Sequence, residues 1–270
     1  MTRGAVNIPT RRSDYAAAGE VVSREVPVEA PVAIEINGIA YAVMMATPCD
    51  VEDFVTGFLL SEGLANADEI GPMALHPVEG GSGLVVRINL PPHRAASIME
   101  RARRRLGDSS CGICGIESVE AALRPLDPLP RQSIAAPEAI HTALAAINDA
   151  QTLGKATAAT HAGAFCDNKG EILVLREDVG RHNALDKVIG ALARAGTDPA
   201  SGFLLVTSRA SYEMIEKTVR ARCPLLVAIS APTDLAVRRA EAAGLALAVV
   251  ARPDSMLWVS GPEMELAHGL

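Results

Sequence analysis

The fold of this chain is decided by the stretch Phe203-Leu-Leu-Val-Thr-Ser-Arg-Ala-Ser-Tyr-Glu-Met-Ile-Glu-Lys-Thr-Val-Arg-Ala-Arg-Cys-Pro-Leu-Leu-Val-Ala-Ile229. It begins and ends with short, continuous apolar runs, Phe203–Val206 and Leu225–Ile229, which are typical of strands buried on both faces. Between them, Ser211–Arg222 carries apolar residues at helical spacing. This order of strand, helix and strand predicts one crossover unit of an α/β domain.

The same alternation continues on both sides of this stretch. Residues 131–270 are therefore predicted to form a three-layer α/β domain with a largely parallel sheet. The predicted helices are Pro137–Ala150, Arg181–Ala193 and Thr233–Ala243, and the predicted strands are Glu171–Leu175 and Leu245–Val250.

The first half of the chain has a different pattern. Residues 1–22 are weakly patterned and are predicted to be a flexible arm, and residues 23–123 are predicted to be a smaller α+β domain. Its first feature is a hairpin that turns at Asn37-Gly38, the strongest short turn signal. Thr47 is the predicted cap of the helix that follows. Three prolines between Arg124 and Pro130 predict a linker.

Composition and charge exclude several classes of protein. Apolar residues make up 49% of the chain and aromatic residues only 3%, so aliphatic side chains must fill a sizeable core. No apolar run approaches the ~20 residues of a membrane span, and the first residues do not resemble a secretory signal. Five cysteines without an export signal predict free thiols in a reducing cytoplasm. A net charge of −7 argues against general nucleic-acid binding.

The segment Gly107-Asp-Ser-Ser-Cys-Gly-Ile-Cys-Gly-Ile116 closes the first domain with two thiols, Cys111 and Cys114. The glycine after each cysteine lets a large molecule approach both sulfurs closely. A Cys-x-x-Cys pair can hold a metal, cycle through a disulfide or carry sulfur as a persulfide.

The local sequence bears differently on each of these chemistries. A structural zinc site needs four ligands, and the other three cysteines stand alone, so His161 or His182 would have to complete one in space. Thioredoxin-like cycling uses a motif between a strand and a helix, whereas an arginine-rich helix is predicted before this loop. Sulfur relay needs a thiolate with a lowered pKa. A helix that starts near Gly115 would lower it, and so would the arginines of the preceding helix, Arg101, Arg103, Arg104 and Arg105. Two inert thiols remain the fourth alternative, although they are not placed like core residues.

Polar residues also concentrate where predicted strands give way to helices. The run Arg176-Glu-Asp-Val-Gly-Arg-His-Asn-Ala-Leu-Asp-Lys187 is either a capped, solvated helix start or a ligand site, and its variety of groups favours a site. Thr207–Ser211 and Ser230–Thr233 follow the next two strands, where helix N-termini can bind anions or where Ser211 and Thr233 simply cap helices. Together they predict a phosphate-bearing ligand at the carboxyl edge of the sheet, without a glycine-rich Rossmann or P-loop fingerprint. The candidate residues are Arg181, His182, Asn183, Ser208, Arg209, Ser211 and Ser230.

These motifs resemble the FdhD family of sulfur-carrier proteins, which are needed for formate dehydrogenase activity. The resemblance extends from about Glu25 to Pro253. It rests on six segments: Tyr41–Pro48, Phe58–Gly63, Cys111–Gly115, Arg176–Lys187, Thr207–Met214 and Ser230–Ala236.

The resemblance implies a cytoplasmic homodimer with a cytidine-deaminase-like α/β domain that has lost its zinc site and holds no permanent metal. Its members take sulfur from a cysteine desulfurase and pass it to the molybdenum of bis(molybdopterin guanine dinucleotide), which then enters formate dehydrogenase. The persulfide would form on Cys111, with Cys114 assisting. The resemblance also implies cofactor contacts from Val250, Ala251, Arg252, Pro253, Asp254 and Ser255. An alternative is a nucleotide- or cofactor-binding chaperone whose cysteines only clasp zinc.

Overall fold

The structure is a computed structural model that describes residues 4–14, 17–105 and 125–262. It opens with an antiparallel hairpin of β1 (Ala5–Asp14) and β2 (Ala17–Pro27). The sequence predicted a flexible arm over residues 1–22 and did not predict these two strands, while the flexibility of the arm stays a prediction. The register sets Val6 opposite Val26 and Asn7 opposite Glu25, but neither face is uniformly apolar or polar, so the alternation that marks a strand is weak.

The smaller unit is a four-stranded sheet covered on one face by two helices. Its strands lie in the order β4-β3-β6-β5, and alternate side chains of β3 point into a core shared with both helices. The predicted turn is confirmed, since Asn37 and Gly38 have φ angles of 52° and 77°. The elements are β3 (Ala30–Ile36), β4 (Ile39–Ala46), α1 (Val51–Ser61), β5 (Ala74–Pro77), β6 (Leu84–Ile88) and α2 (Ala95–Arg105).

Thr47 does not cap α1, contrary to the prediction. The helix begins at Val51, after Asp50 in a left-handed conformation with a φ of 52°. Thr47 is fully buried and uses its polar groups for bonds to residues more than 130 positions later in the chain. The predicted end of the helix at Gly63 is confirmed, because this glycine has a φ of 64°.

The larger unit is a six-stranded sheet between helices, so the predicted three layers are confirmed. Helix α3 packs on one face, and α5, α6 and α7 pack on the other. The elements are α3 (Pro137–Ala150), α4 (Thr152–Thr157), β7 (His161–Asp167), β8 (Ile172–Asp178), α5 (Arg181–Ala195), β9 (Gly202–Val206), α6 (Tyr212–Arg220), β10 (Leu225–Ala228), α7 (Asp234–Ala243), β11 (Ala246–Arg252) and β12 (Ser255–Ser260).

This sheet is mixed rather than largely parallel. Its order is β12-β11-β10-β9-β7-β8, and only β9, β10 and β11 pair in parallel. The flanking strands pair antiparallel. The prediction failed at β7 and β12, the two strands that the sequence did not predict. The α/β class is confirmed, while the cytidine-deaminase-like topology stays a prediction.

Two glycines let the units meet along α1 and α5. A Cβ atom at Gly57 would lie 1.8 Å from the carbonyl oxygen of Asp186, and one at Gly190 would lie 1.9 Å from that of Asp53. Side chains at these positions would hold the helices apart, so the close crossing depends on both glycines. The two helices thereby fix the small unit against the sheet of the large one.

Candidate functional site

One edge of the six-stranded sheet collects most of the predicted site residues. Strands β8, β9, β10 and β11 end at this edge, and the antiparallel strands β7 and β12 begin there. Loops that leave this edge are therefore neighbours in space although they are far apart in sequence. They carry Arg181 and His182 after β8, Ser208, Arg209 and Ser211 after β9, Ser230 after β10, and Val250–Ser255 at the end of β11 and the start of β12.

Backbone hydrogen bonds tie three of these loops side by side. Thr233 N–H donates to the carbonyl oxygen of Ala210 at 3.0 Å, and Ala210 also forms an isolated parallel bridge with Pro232. Val250 N–H donates to the Ser230 carbonyl oxygen at 3.2 Å. The edge is therefore a continuous, ordered surface on which a large ligand could lie.

Val250 marks a distortion in this surface. Its φ is 50°, and the pairing of β11 with β12 shifts register between Val249 and Arg252. A β-branched residue in the left-handed region is strained, and such strain tends to occur where the backbone has a function. Beside it, the Arg252 guanidinium donates to the carbonyl oxygens of Ile229 and Ala251 at 2.5 and 2.9 Å.

The predicted residues of this edge differ in how accessible they are. The exposed ones are Arg209, Ser230, Arg252, Pro253, Asp254 and Ser255, whereas Ala251 is buried. Ser208 and Ser211 are also buried, and their hydroxyls donate to the Arg209 carbonyl oxygen and to Glu213 Oε2. Ser211 does not cap α6 with its side chain, but Thr233 caps α7 by accepting from the Ala236 N–H.

The polar run Arg176–Lys187 divides into two sets of residues, and the larger set joins the two units. Lys187 Nζ lies 2.7 Å from Asp178 Oδ2, and both side chains are 0% exposed. Asp178 also accepts from Thr47 N–H at 3.0 Å and from Asn183 Nδ2 at 2.9 Å. Lys187 Nζ donates to two backbone carbonyls, each at 3.0 Å, one of which belongs to Thr47. We call Thr47, Asp178, Asn183 and Lys187 the joint.

Asn183 therefore belongs to the joint, and its role as a ligand-binding residue stays a prediction. Its amide nitrogen donates to the Met45 carbonyl oxygen at 2.8 Å as well as to Asp178, and these two bonds use both amide hydrogens. Most other charged groups of the run are also engaged inside the protein. Arg176 binds Asp53 of α1 at 2.8 Å, and Glu177 accepts from the first N–H groups of α4.

Arg181 and His182 form the other set, at the start of α5 on the sheet edge. Arg181 Nε is buried and has no hydrogen-bond partner among the described residues. Burial, together with the nearby cations Lys217 and Arg181, lowers the pKa of His182 to about 4. His161, at the start of β7, also has a lowered pKa because of burial and Arg181. Arg181 contributes positive charge beside both imidazoles, and a cation at this place suits a polyanionic ligand.

The sequence did not single out His161 for this edge and considered it only as a zinc ligand. The missing information was strand β7, whose antiparallel pairing with β8 sets His161 opposite Asp178. No local signal in His161-Ala-Gly-Ala-Phe165 could have provided it, since three of these five residues are Gly or Ala, which are not strand formers.

Cys111 and Cys114 lie outside the described residues, as does the predicted helix from Gly115. Within the described ranges, no group of three or more His, Cys, Asp or Glu side chains is arranged to hold a metal ion. The zinc alternative for the Cys pair therefore stays a prediction. None of the described helices is both long and apolar enough to cross a membrane.

Comparison with known proteins gives one family. The model of the FdhD/NarQ family matches residues 27–264. The protein named "Sulfur carrier protein FdhD" of Variovorax paradoxus is 46% identical over 240 residues, which cover 88% of this chain and 85% of the relative. The protein of the same name from Xanthomonas euvesicatoria pv. vesicatoria is 46% identical over 258 residues, which cover 95% and 91%.

A solved structure shares the fold. It is the crystal structure of a protein from Desulfotalea psychrophila named as a candidate formate dehydrogenase accessory protein. The TM-score is 0.74 at 23% identity, and the match covers 97% of this chain and 99% of that one. Both units described above are therefore included in the match.

Proposed function

The chain belongs to the FdhD/NarQ family, and we propose that it is a sulfur carrier for formate dehydrogenase. In this proposal Cys111 accepts sulfur from a cysteine desulfurase, and the acceptor is the molybdenum of bis(molybdopterin guanine dinucleotide), bound at the sheet edge. The observation that carries the proposal is the 46% identity, over 95% of the chain, to a relative named as a sulfur carrier. We expect the protein to work in the cytoplasm as a homodimer.

The chemistry needs two thiols with different roles. The Cys111 thiolate attacks the outer sulfur of the donor's persulfide, a sulfur–sulfur bond breaks, and the donor leaves as a thiolate, so no net oxidation occurs. The Cys114 thiolate then attacks the inner sulfur of the Cys111 persulfide. This step forms a Cys111–Cys114 disulfide and releases the outer sulfur as sulfide, the form that the metal can take. A cellular dithiol reductant must reopen the disulfide before the next cycle.

The sheet edge supplies what a guanine dinucleotide requires. The two phosphates of each nucleotide carry negative charge, and the edge presents Arg181, Arg209 and Arg252. Its acidic residues are Asp254, Glu213, which accepts from Ser211, and Asp234, which pairs with Arg238. The buried Arg181 Nε offers a donor that no described residue uses. Four of the six residues of the Val250–Ser255 turn are exposed and could contact the base or sugar.

Sulfur transfer is tested by replacing one thiol at a time. Cys111→Ala should abolish formate dehydrogenase activity in a strain that depends on this gene, while the circular dichroism spectrum stays that of the wild type. Cys49→Ser is the matched control, because Cys49 lies outside the motif and should be dispensable. Full activity of Cys111→Ala would refute the proposal.

Ligand binding is tested separately with GDP as the probe. Arg181→Ala should weaken binding about 10- to 100-fold, the range expected for the loss of one charge-assisted hydrogen bond of about 1.5–3 kcal/mol. Arg87→Ala, on the far sheet of the smaller unit, is the control and should leave the dissociation constant unchanged. Equal affinity of Arg181→Ala and the wild type in calorimetry would remove the nucleotide from this edge.

A further inference from the structure

A second concave surface lies away from the sheet edge, where three helices end. It is a groove of about 630 Å³, a volume within the range of ligand sites. Helix α5 connects the two places: Arg181 is at the edge and Ala193 lines the groove, twelve residues or about 18 Å along the helix. The groove is therefore distinct from the surface proposed to hold the nucleotide.

The floor of the groove is apolar and its rim is basic. Leu60, Leu126, Ile189 and Val219 line it with several alanines and two prolines. The charged lining residues are Arg220, Arg222 and Asp127, all exposed, so that the lining carries a net positive charge. Such a surface complements an apolar side chain flanked by acidic groups.

The two arginines are available for a partner. Arg220 lies 4.0 Å from Glu216, but Glu216 is held more closely by Arg239. Arg222 forms no ion pair with any described residue. It is also strained, with a φ of 63° two residues after Arg220, the last residue of α6.

A glycine is the usual residue in this conformation after a helix, although α4 is followed by Ala158 with a φ of 55°. Gly196 after α5 and Gly244 after α7 have φ angles of 67° and 66°. Arg222, like Ala158, departs from this preference. Strained backbone positions of this kind cluster at functional sites.

Three helix C-termini meet at this groove. Each carries a partial negative charge, which opposes the positive charge of the rim arginines. Most of the last carbonyl oxygens of these helices accept capping hydrogen bonds. Gly196 and Thr197 N–H groups bind the end of α5, and the Ala221 and Arg222 N–H groups bind the end of α6. Arg101 of α2 donates to the Glu62 carbonyl oxygen after α1 at 2.8 Å. The full charges of the rim arginines therefore outweigh the partial charges of the helix ends.

The groove also adjoins the thiol segment along the chain. Pro125, Leu126 and Asp127 line it, and they directly follow residues 106–124, which contain Cys111 and Cys114. A protein bound in the groove would be held next to the point from which that segment departs.

From these observations we propose that the groove docks an extended acidic peptide segment, with an apolar anchor residue, from the protein that exchanges sulfur with this chain. The apolar side chain occupies the floor, and acidic residues on either side pair with Arg220 and Arg222. The identity of the partner rests on the proposed function, whereas the acidic and apolar chemistry rests on the groove alone.

The test uses two fluorescein-labelled dodecapeptides that share a central leucine, one flanked by glutamates and one by lysines. The acidic peptide should give saturable fluorescence anisotropy with the whole protein, and the basic peptide should not. Arg222→Gly should weaken binding about tenfold, equivalent to one charged contact of about 1.4 kcal/mol. Because this substitution removes backbone strain, it should not lower the melting temperature, which separates a binding role from a structural one.

A second pair of variants fills the groove or leaves it open. Ala193→Trp places an indole in the groove, and Ala195→Trp places it on the exposed surface of the same helix. Only Ala193→Trp should abolish peptide binding. Failure of the acidic peptide to bind the wild type, equal binding of the basic peptide, or unchanged affinity in Arg222→Gly and Ala193→Trp would overturn the proposal. A change in sedimentation of Ala193→Trp without peptide binding would assign the groove to a second copy and likewise overturn it.

The outcome is distinguishable from failure of the proposed function. Loading of Cys111 from glutathione persulfide, a small donor that needs no docking, is followed by mass spectrometry in the same preparation. If Cys111 accepts sulfur but the peptide does not bind, only the groove proposal is refuted. If the peptide binds but Cys111 accepts no sulfur, only the sulfur-carrier proposal is refuted.

Discussion

The joint between the two units gives the prediction with the largest expected effect. Lys187 and Asp178 are both fully buried and lie 2.7 Å apart. Replacing Lys187 with Met leaves a buried carboxylate without its counter-ion, a change that costs about 3–5 kcal/mol in proteins. Asp178 would keep its bonds from Thr47 N–H and Asn183 Nδ2, so we expect a loss near the lower end, about 3 kcal/mol.

Asp178→Asn should lower the free energy of unfolding by more, about 4–5 kcal/mol. It leaves the buried Lys187 ammonium without a counter-ion, and its amide N–H would face groups that are themselves donors. The double variant should lose less than the sum of the two, since it contains no isolated charge. Urea unfolding followed by circular dichroism measures each free energy of unfolding. Lys155→Met is the control, because Lys155 and Asp149 form an exposed pair worth at most about 1 kcal/mol. A loss below about 1 kcal/mol for Lys187→Met would refute the reasoning.

Three further predictions test separate parts of the account. Gly190→Ala should lower the free energy of unfolding by about 3 kcal/mol in urea titrations, because its Cβ would lie 1.9 Å from the Asp53 carbonyl oxygen. The folded-state pKa of His182, about 4 against an ordinary 6.5, means that the unfolded chain binds more protons between these values. Stability should therefore be complete above pH 6.5 and fall toward pH 4, and His182→Gln should flatten that fall in thermal melts. Cys166 and Cys223 are fully buried and have pKa values raised to about 12, so neither should react with iodoacetamide in the native protein, as peptide mapping will show.

Each of these predictions has an internal control. Gly71→Ala meets no atom within 4 Å and should leave stability unchanged, so an equal loss at Gly71 and Gly190 would contradict the packing argument. His76→Gln, at an exposed position, is the matched control for the loss of one imidazole. In guanidinium chloride all five cysteines should react, and native labelling of Cys166 would contradict its burial.

Local patterns predicted the elements that local physics controls. The Asn37-Gly38 turn, the helix Pro137–Ala150 and the Thr233 cap all appear in the structure, since each depends on residues close together in sequence. The strands β7 and β12 were missed, and with them the mixed character of the sheet. Strand β7 is rich in Gly and Ala, so its strand conformation comes from its two neighbours in the sheet rather than from its own propensity.

Long-range contacts give two of the residues that the sequence singled out a role that it did not predict. Threonine is a common helix cap and asparagine a common ligand-binding residue, but Thr47 and Asn183 both donate hydrogen bonds to Asp178 in the joint. Their partners lie up to 140 positions away, beyond any window of sequence pattern. The left-handed Val250 could not be predicted either, because valine is among the residues least suited to that conformation.

The carrier role rests most directly on the mass of one peptide. After incubation with a cysteine desulfurase and cysteine, the peptide that contains Cys111 should gain about 32 Da, one sulfur atom, and lose it on treatment with dithiothreitol. Cys114→Ala should keep the added sulfur and transfer it poorly. Absence of this adduct under every donor condition, in a protein that still restores formate dehydrogenase activity, would contradict the account.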